Sequence, residues 1–221
     1  MSSFGDHVSG GHKKTLTTFG DSVTAGATVP EAVRWANRLA THLQLTLTNK
    51  GISGTVLQAS PDASGQPRAD NGVGRYRRDL LGDERSDVIA ILYGFNDARY
   101  VGSPATFNRD GFVRDYSLLL EGLITAGSTA ADICIGSPPH IPDAGFSVGS
   151  DGFAGQTREQ FESYVDTVQA IARSFGVFYA PVHESMQARG SDALILPDLV
   201  HPNADGHAVI AAAFAAATIP M

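Results

Sequence analysis

Thr15-Leu-Thr-Thr-Phe-Gly-Asp-Ser-Val-Thr-Ala-Gly26 is the stretch from which the rest of the chain can be read. It opens as a short strand pattern, with Leu16 and Phe19 among β-tolerant threonines. It then turns at Gly20-Asp21-Ser22 and runs through small residues toward a helix. A serine at the carboxyl end of a first strand stands where open α/β sheets hold their ligands. Gly, Asp and Ser are also ordinary turn formers, so the tripeptide takes chemical meaning only from partners elsewhere.

Downstream, strand and helix patterns alternate. Thr28-Val-Pro-Glu31 reads as a capping box, followed by Val33, Ala36, Leu39, Ala40 and Leu43 at helical spacing. A second strand is expected over Leu45 to Asn49, ending at Gly51-Ile-Ser-Gly54. Gln58 to Gly74, rich in Pro, Gly, Ser and Asp, reads as a surface loop, with a short helix around Tyr76 to Leu81 after it. Asp87-Val-Ile-Ala-Ile-Leu-Tyr93 is nearly continuously apolar, as a parallel strand covered on both faces should be, and it stops at Gly94-Phe-Asn-Asp97. A helix over roughly Thr106 to Ala126 and a fourth strand over Asp132 to Ser137 follow. Ile141 to Gln156 is a second glycine-rich loop. Thr157-Arg-Glu-Gln160 is another capping box, opening a helix that leads to a fifth strand at Val177 to Ala180. The last helix starts near Asn203.

Five strands alternating with helices imply a parallel sheet covered on both faces. With no break in composition over residues 15–221, one domain is expected there. Residues 1–14 are polar and glycine-rich and are expected to form a flexible tail.

Composition narrows the function classes. The 221 residues carry a net charge of −7, and the densest basic cluster is Arg75, Arg77 and Arg78, which argues against nucleic acid and anionic membrane as partners. The single Cys134 excludes an internal disulfide and a cysteine-based zinc site, and its apolar setting reads as a small buried hydrophobe. No run is long and apolar enough to span a bilayer, and the first residues lack the apolar core of a secretory signal. Location stays open between a cytoplasmic chain and one processed from a longer protein; oligomeric state is equally open.

Three strand ends carry the chemistry: Ser22 after the first, Gly51 to Gly54 after the second, and Asn96 after the third. All lie on the carboxyl edge and can converge on one crevice. The fourth element is Asp198-Leu-Val-His201. A carboxylate three residues before a histidine can fix its tautomer and stabilise its charged form, as a serine nucleophile's base requires.

Together, Gly20-Asp21-Ser22, Gly54, Gly94-Phe-Asn96-Asp97 and Asp198-x-x-His201 resemble the SGNH (GDSL-type) hydrolase family, in the family's order and over nearly the whole chain. The resemblance implies a flavodoxin-like three-layer α/β/α sandwich. It implies Ser22 as nucleophile, His201 as general base and Asp198 as its orienting partner. It further implies an oxyanion hole from the N–H groups of Ser22 and Gly54 and the Asn96 amide. Gly51 offers a rival N–H; the family pattern favours Gly54, while spacing alone leaves both open. Val23 stands where the family commonly has Leu or Ile.

The expected activity is hydrolysis of small acyl or acetyl esters, including those of carbohydrates, through an acyl-serine, with a small-molecule ester as partner and no cofactor or metal. A thioesterase or lysophospholipase on the same machinery is the near alternative; a non-catalytic flavodoxin-like binding module is the distant one. Several other residues are given plainer readings. Gly145-Phe-Ser147-Val-Gly149 fits the G-x-S-x-G pattern but lacks a flanking strand and helix. His183-Glu184 reads as a solvated loop, His207 as a surface or packing residue, and His140 as either pocket-lining or solvated. His7 and His12 belong to the tail. Asp21 and Asp97 read as braces of turns.

Overall fold

A computed structural model describes residues 2–61, 65–82, 85–100, 108–148 and 157–221. Five strands, β1 (Thr15–Gly20), β2 (Thr46–Gly51), β3 (Val88–Leu92), β4 (Ile133–Gly136) and β5 (Phe178–Ala180), form one all-parallel sheet in the order β2-β1-β3-β4-β5. The chain leaves β1 toward β2 and then crosses back over β1 to β3. The direction of travel therefore reverses at β1, and a crevice opens at its carboxyl end.

That reversal also sorts the helices. Right-handed crossovers running in opposite directions place their helices on opposite faces of the sheet. The β1–β2 connection, α3 (Trp35–Leu43), packs on one face with α1 (Phe4–Gly10), α8 (Val182–Arg189) and α9 (Ala204–Ala215). The later crossovers α4 (Gly72–Leu80), α6 (Arg109–Thr125) and α7 (Arg158–Phe175) cover the other. The pleat divides the strand residues between the two cores: Val88, Ala90 and Leu92 face the first, Ile89 and Ile91 the second. Cys134 is buried on β4 in the first core. The remaining helices, α2 (Ser22–Ala25) and α5 (Asp97–Tyr100), are single turns at the ends of β1 and β3.

Three expectations are corrected. The N-terminal residues are not all tail: Ser3 caps α1 in a capping box, Phe4 and Val8 are buried, and the Phe4 N–H donates to Ala217 O at 2.8 Å. Two apolar side chains on one face suffice because α9 supplies the partner surface. The capping box at Thr28 does not form. Residues Glu31–Val33 make a 3₁₀ turn, Arg34 is extended (φ −62°, ψ 144°), and the helix begins at Trp35. His183 and Glu184 lie in α8, with His183 buried, rather than in a solvated loop. Of the two readings of His207, packing holds, since it is buried within α9. The capping box at Thr157 forms as expected, while the start of the helix expected from Thr106 lies partly outside the described residues.

Candidate active site

Ser22 is the first residue of α2, immediately beyond β1. Its turn is capped by Asp21, whose Oδ1 accepts the Val23 N–H at 2.9 Å, and is closed by Gly26 at φ +64°. The crowding is close. A Cβ on Gly20 would come within 2.4 Å of Leu92 O, and one on Gly51 within 2.2 Å of the Ala25 backbone nitrogen. Glycine at both strand ends lets the serine turn settle against the sheet.

Asp198 and His201 come from the loop before α9. Ile195 and Pro202 bridge across it, the Leu196 N–H donates to His201 O at 2.8 Å, and Leu199 takes a left-handed φ of +63°. Asn203 then caps α9 by accepting the N–H groups of Asp205 and Gly206. Held this way, His201 brings Nε2 to 3.0 Å from Ser22 Oγ and Nδ1 to 2.7 Å from Asp198 Oδ2. The other Asp198 oxygen accepts the backbone N–H groups of Val200 (3.0 Å) and His201 (2.9 Å). Partial burial pushes the Asp198 carboxyl up, but the N–H groups of His201 and Val200 and the His201 ring outweigh it and hold it below the ordinary carboxylate range. The carboxylate can therefore accept Nδ1–H, leaving Nε2 with a lone pair directed at the hydroxyl.

Asn96 follows β3 and is buried. Its Nδ2 donates to Thr55 O at 2.9 Å, which fixes the orientation of the amide and leaves its second N–H for the cleft that Asn96 lines. Ser22, Gly54, Asn96, Asp198 and His201 line one cleft of about 340 Å³, together with Ala27, Thr28, Ser53, Arg99, Val148 and Val200. Among the described residues, neither the Ser22 nor the Gly54 N–H donates to another protein group. Gly51 differs. Its N–H donates to Asn49 Oδ1 at 2.9 Å, and the residue is pressed against α2.

The carboxylates next to these residues are structural. Burial pushes Asp21 up to about 7, opposed by the Val23 N–H and reinforced by the charge of Asp97. Asp97 accepts the N–H groups of Leu57 and Gln58; burial pushes it up to about 6 against those bonds. Arg99, which sequence reasoning passed over, is buried over the Phe95 ring and donates Nη2–H to Gly145 O (3.2 Å) and Val148 O. It anchors the loop that forms one wall of the cleft.

The other candidates lie apart. Ser147 is exposed in a 3₁₀ turn and does not line this cleft; Gly149 lies outside the described residues. His140 is buried, bonds Asp192 at 2.7 Å, and lines a separate cleft of about 660 Å³. A groove of about 860 Å³ between α3 and α9 is lined largely by alanines. Volume does not choose among them; the serine–imidazole contact does. Among the described residues, no group of three His, Cys, Asp or Glu side chains is arranged to hold a metal ion, and no helix is long and apolar enough to cross a membrane.

The model of the GDSL-like lipase/acylhydrolase family matches residues 18–209, which spans every element of this site. The chain belongs to that family. Solved structures of like fold include a lipase/acylhydrolase from Enterococcus faecalis (17% identity, covering 94% of this chain and 99% of that one, TM-score 0.66). A variant of an acetyl xylan esterase from Geobacillus stearothermophilus is similar at 20% identity, covering 91% and 92%, with a TM-score of 0.65. An alpha/beta hydrolase from the metagenome of Lake Arreo, Spain, is similar at 22% identity, covering 91% and 93%, with a TM-score of 0.61. No curated protein sequence matches the chain significantly. As a GDSL-like family member, the chain has the five-stranded parallel α/β/α architecture that the sequence implied.

Proposed function

We propose that this family member is a serine esterase that hydrolyses short acyl esters, acetyl esters of carbohydrates among them, with Ser22, His201 and Asp198 as its triad. The observation that carries the reading is His201, one ring nitrogen 3.0 Å from Ser22 Oγ and the other 2.7 Å from Asp198. A serine hydroxyl is a poor nucleophile until a base takes its proton. His201 Nε2 removes that proton as Oγ attacks the ester carbonyl, and Asp198 stabilises the imidazolium that forms. The tetrahedral oxyanion is received by the N–H groups of Ser22 and Gly54 and the free N–H of Asn96, where fixed donors act most strongly. Gly51 is passed over because its N–H is already taken by Asn49. His201 then returns the proton to the leaving alcohol, and water hydrolyses the acyl-serine by the same steps.

The short-acyl preference rests on the cleft. Its volume of about 340 Å³ and its small walls, Ala27, Thr28, Ser53, Val148 and Val200, leave little room for a long chain. Carbohydrate acetyl esters enter the reading because one enzyme of the same fold is an acetyl xylan esterase. The test is covalent labelling by a fluorophosphonate, followed by peptide mass mapping. The adduct should fall on the Ser22 peptide and vanish in Ser22→Ala; absence of an adduct on the native chain overturns the reading.

A further inference from the structure

One buried guanidinium reaches the ends of three strands. Arg75 lies on the inner face of α4, with its Cζ 4.1 Å from the centre of the Phe19 ring. Its Nε donates to Asp70 O (3.1 Å), and Nη1 donates to Lys50 O (3.0 Å) and Asp79 Oδ2 (2.5 Å). Nη2 donates to Gly20 O (2.9 Å) and Tyr93 Oη (2.6 Å). These bonds account for all five N–H groups of an arginine. Gly20 ends β1, Lys50 is the next-to-last residue of β2, and Tyr93 follows β3.

The proton order beyond Arg75 is fixed by chemistry. Arginine can only donate, so the Tyr93 oxygen accepts from it and its own O–H is left to donate. Burial raises the Tyr93 pKa, which keeps that proton in place. The Tyr93 O–H reaches Thr55 Oγ1 at 3.0 Å, and the Thr55 hydroxyl donates onward to Ile52 O at 2.8 Å. The carbonyl of the same Thr55 holds the Asn96 amide. Thr55 is thus fastened on one side by Tyr93 and fastens Asn96 on the other. Its neighbour Gly54, at φ +78°, would have nothing within 4 Å of an added Cβ, so no packing from that side fixes its backbone.

Given the esterase reading above, we propose that Arg75 and Tyr93 are positioning residues that aim the oxyanion donors of Asn96 and Gly54 through Thr55. Neither touches the substrate cleft. Donors that stabilise an oxyanion must be placed before the charge appears, so a small misplacement lowers turnover rather than ground-state binding.

The experiment compares Tyr93→Phe, Thr55→Val and Thr55→Ser with the native enzyme on a p-nitrophenyl ester. Tyr93→Phe and Thr55→Val should each lower kcat by about 10- to 100-fold, the scale of a sub-ångström to ångström displacement. KM should stay within about twofold, since the loss falls on the transition state. Thr55→Ser keeps the hydroxyl and should recover most of what Thr55→Val loses. In an Asn96→Ala background the Tyr93→Phe loss should shrink, because the two act on one donor. Losses that multiply independently overturn the proposal. So does undiminished hydrolysis in Tyr93→Phe and Thr55→Val by an enzyme that Ser22→Ala inactivates. Hydrolysis that survives Ser22→Ala overturns the esterase reading instead. The relay is then judged by the side-chain amide NMR signals of Asn96, which Tyr93→Phe should move; unmoved signals overturn it.

Discussion

The ring of His207 accepts the backbone N–H of Trp35 at 3.1 Å, so a side chain from the last helix caps the first residue of α3. The bond requires a lone pair on Nδ1, and the buried ring therefore stays neutral. Burial, with lesser contributions from Arg38, His201 and Arg34, pushes the His207 pKa down to about 4.

The sign of the resulting pH effect follows from proton counts. With a folded pKa below the unfolded one, the unfolded chain binds the extra proton between about pH 6.5 and 4, so stability falls as pH drops through that window. The loss should be on the order of 3 kcal/mol by pH 4. His207→Gln keeps an acceptor but does not titrate. Its stability relative to the native chain, from urea melts at several pH values, should improve steadily from pH 6.5 to 4. A flat difference would contradict a neutral His207.

Ser22→Ala should abolish ester hydrolysis, whereas Ser147→Ala should leave it nearly intact. Ser147 is exposed and outside the cleft despite its G-x-S-x-G surroundings. Initial rates on p-nitrophenyl acetate decide between them, and the reverse ranking would move the nucleophile.

Asn96→Ala should reduce kcat by about 10²–10³, the usual cost of losing one oxyanion donor, with a far smaller change in KM. Steady-state kinetics at saturating substrate is the check. An unchanged kcat would remove Asn96 from the transition state.

Acyl length provides a separate measure of the cleft. Each buried methylene contributes about 0.8 kcal/mol only where an apolar wall exists to receive it. The cleft here, about 340 Å³ between small side chains, has little room for such a wall. kcat/KM should therefore peak at acetyl or butyryl esters and decline toward decanoyl. A continued rise with length would favour the lysophospholipase or thioesterase reading.

Phe4→Ala should destabilise the fold by about 3–5 kcal/mol, the range for truncating a buried phenylalanine. Phe4 is fully buried and meets Phe178 edge-on at 5.4 Å between ring centres. A midpoint of denaturation shifted by less than the scatter of surface mutants would return α1 to the status of a loose tail.

β3, β4 and β5 were legible because each is a short apolar run stopped by glycine or proline, whereas β1 and β2 were read from leucine and phenylalanine among β-tolerant threonines ahead of a glycine. Their ends carried Ser22, Gly54 and Asn96, and the structure brings these to one cleft with Asp198 and His201. What stayed hidden depends on distant contacts. The start of α3 is set by His207, 172 residues away, and not by the local Thr28 box. α1 presents only Phe4 and Val8 and becomes a helix against α9. In the sequence Arg75 was grouped with Arg77 and Arg78 as one basic cluster. Yet Gly72, Arg75, Tyr76 and Leu80 share the buried face of α4, and that spacing separates Arg75 from Arg77 and Arg78. The helical period held the signal; charge alone concealed it.

The reach of Arg75 bears on how the sheet finds its register. Gly20 and Lys50 offer their carbonyls to one guanidinium only when Gly20 pairs with Gly51 and Phe19 with Lys50. A one-residue slip of β2 along β1 would reverse which faces its side chains occupy and turn the accepting carbonyl away. The guanidinium would then sit in the interior with unmet N–H groups, a state costing several kcal/mol. Misaligned sheets are thus penalised by a buried charge as well as by poorer packing, and β1, β2 and β3 should lock together in a single cooperative step rather than zip up pair by pair.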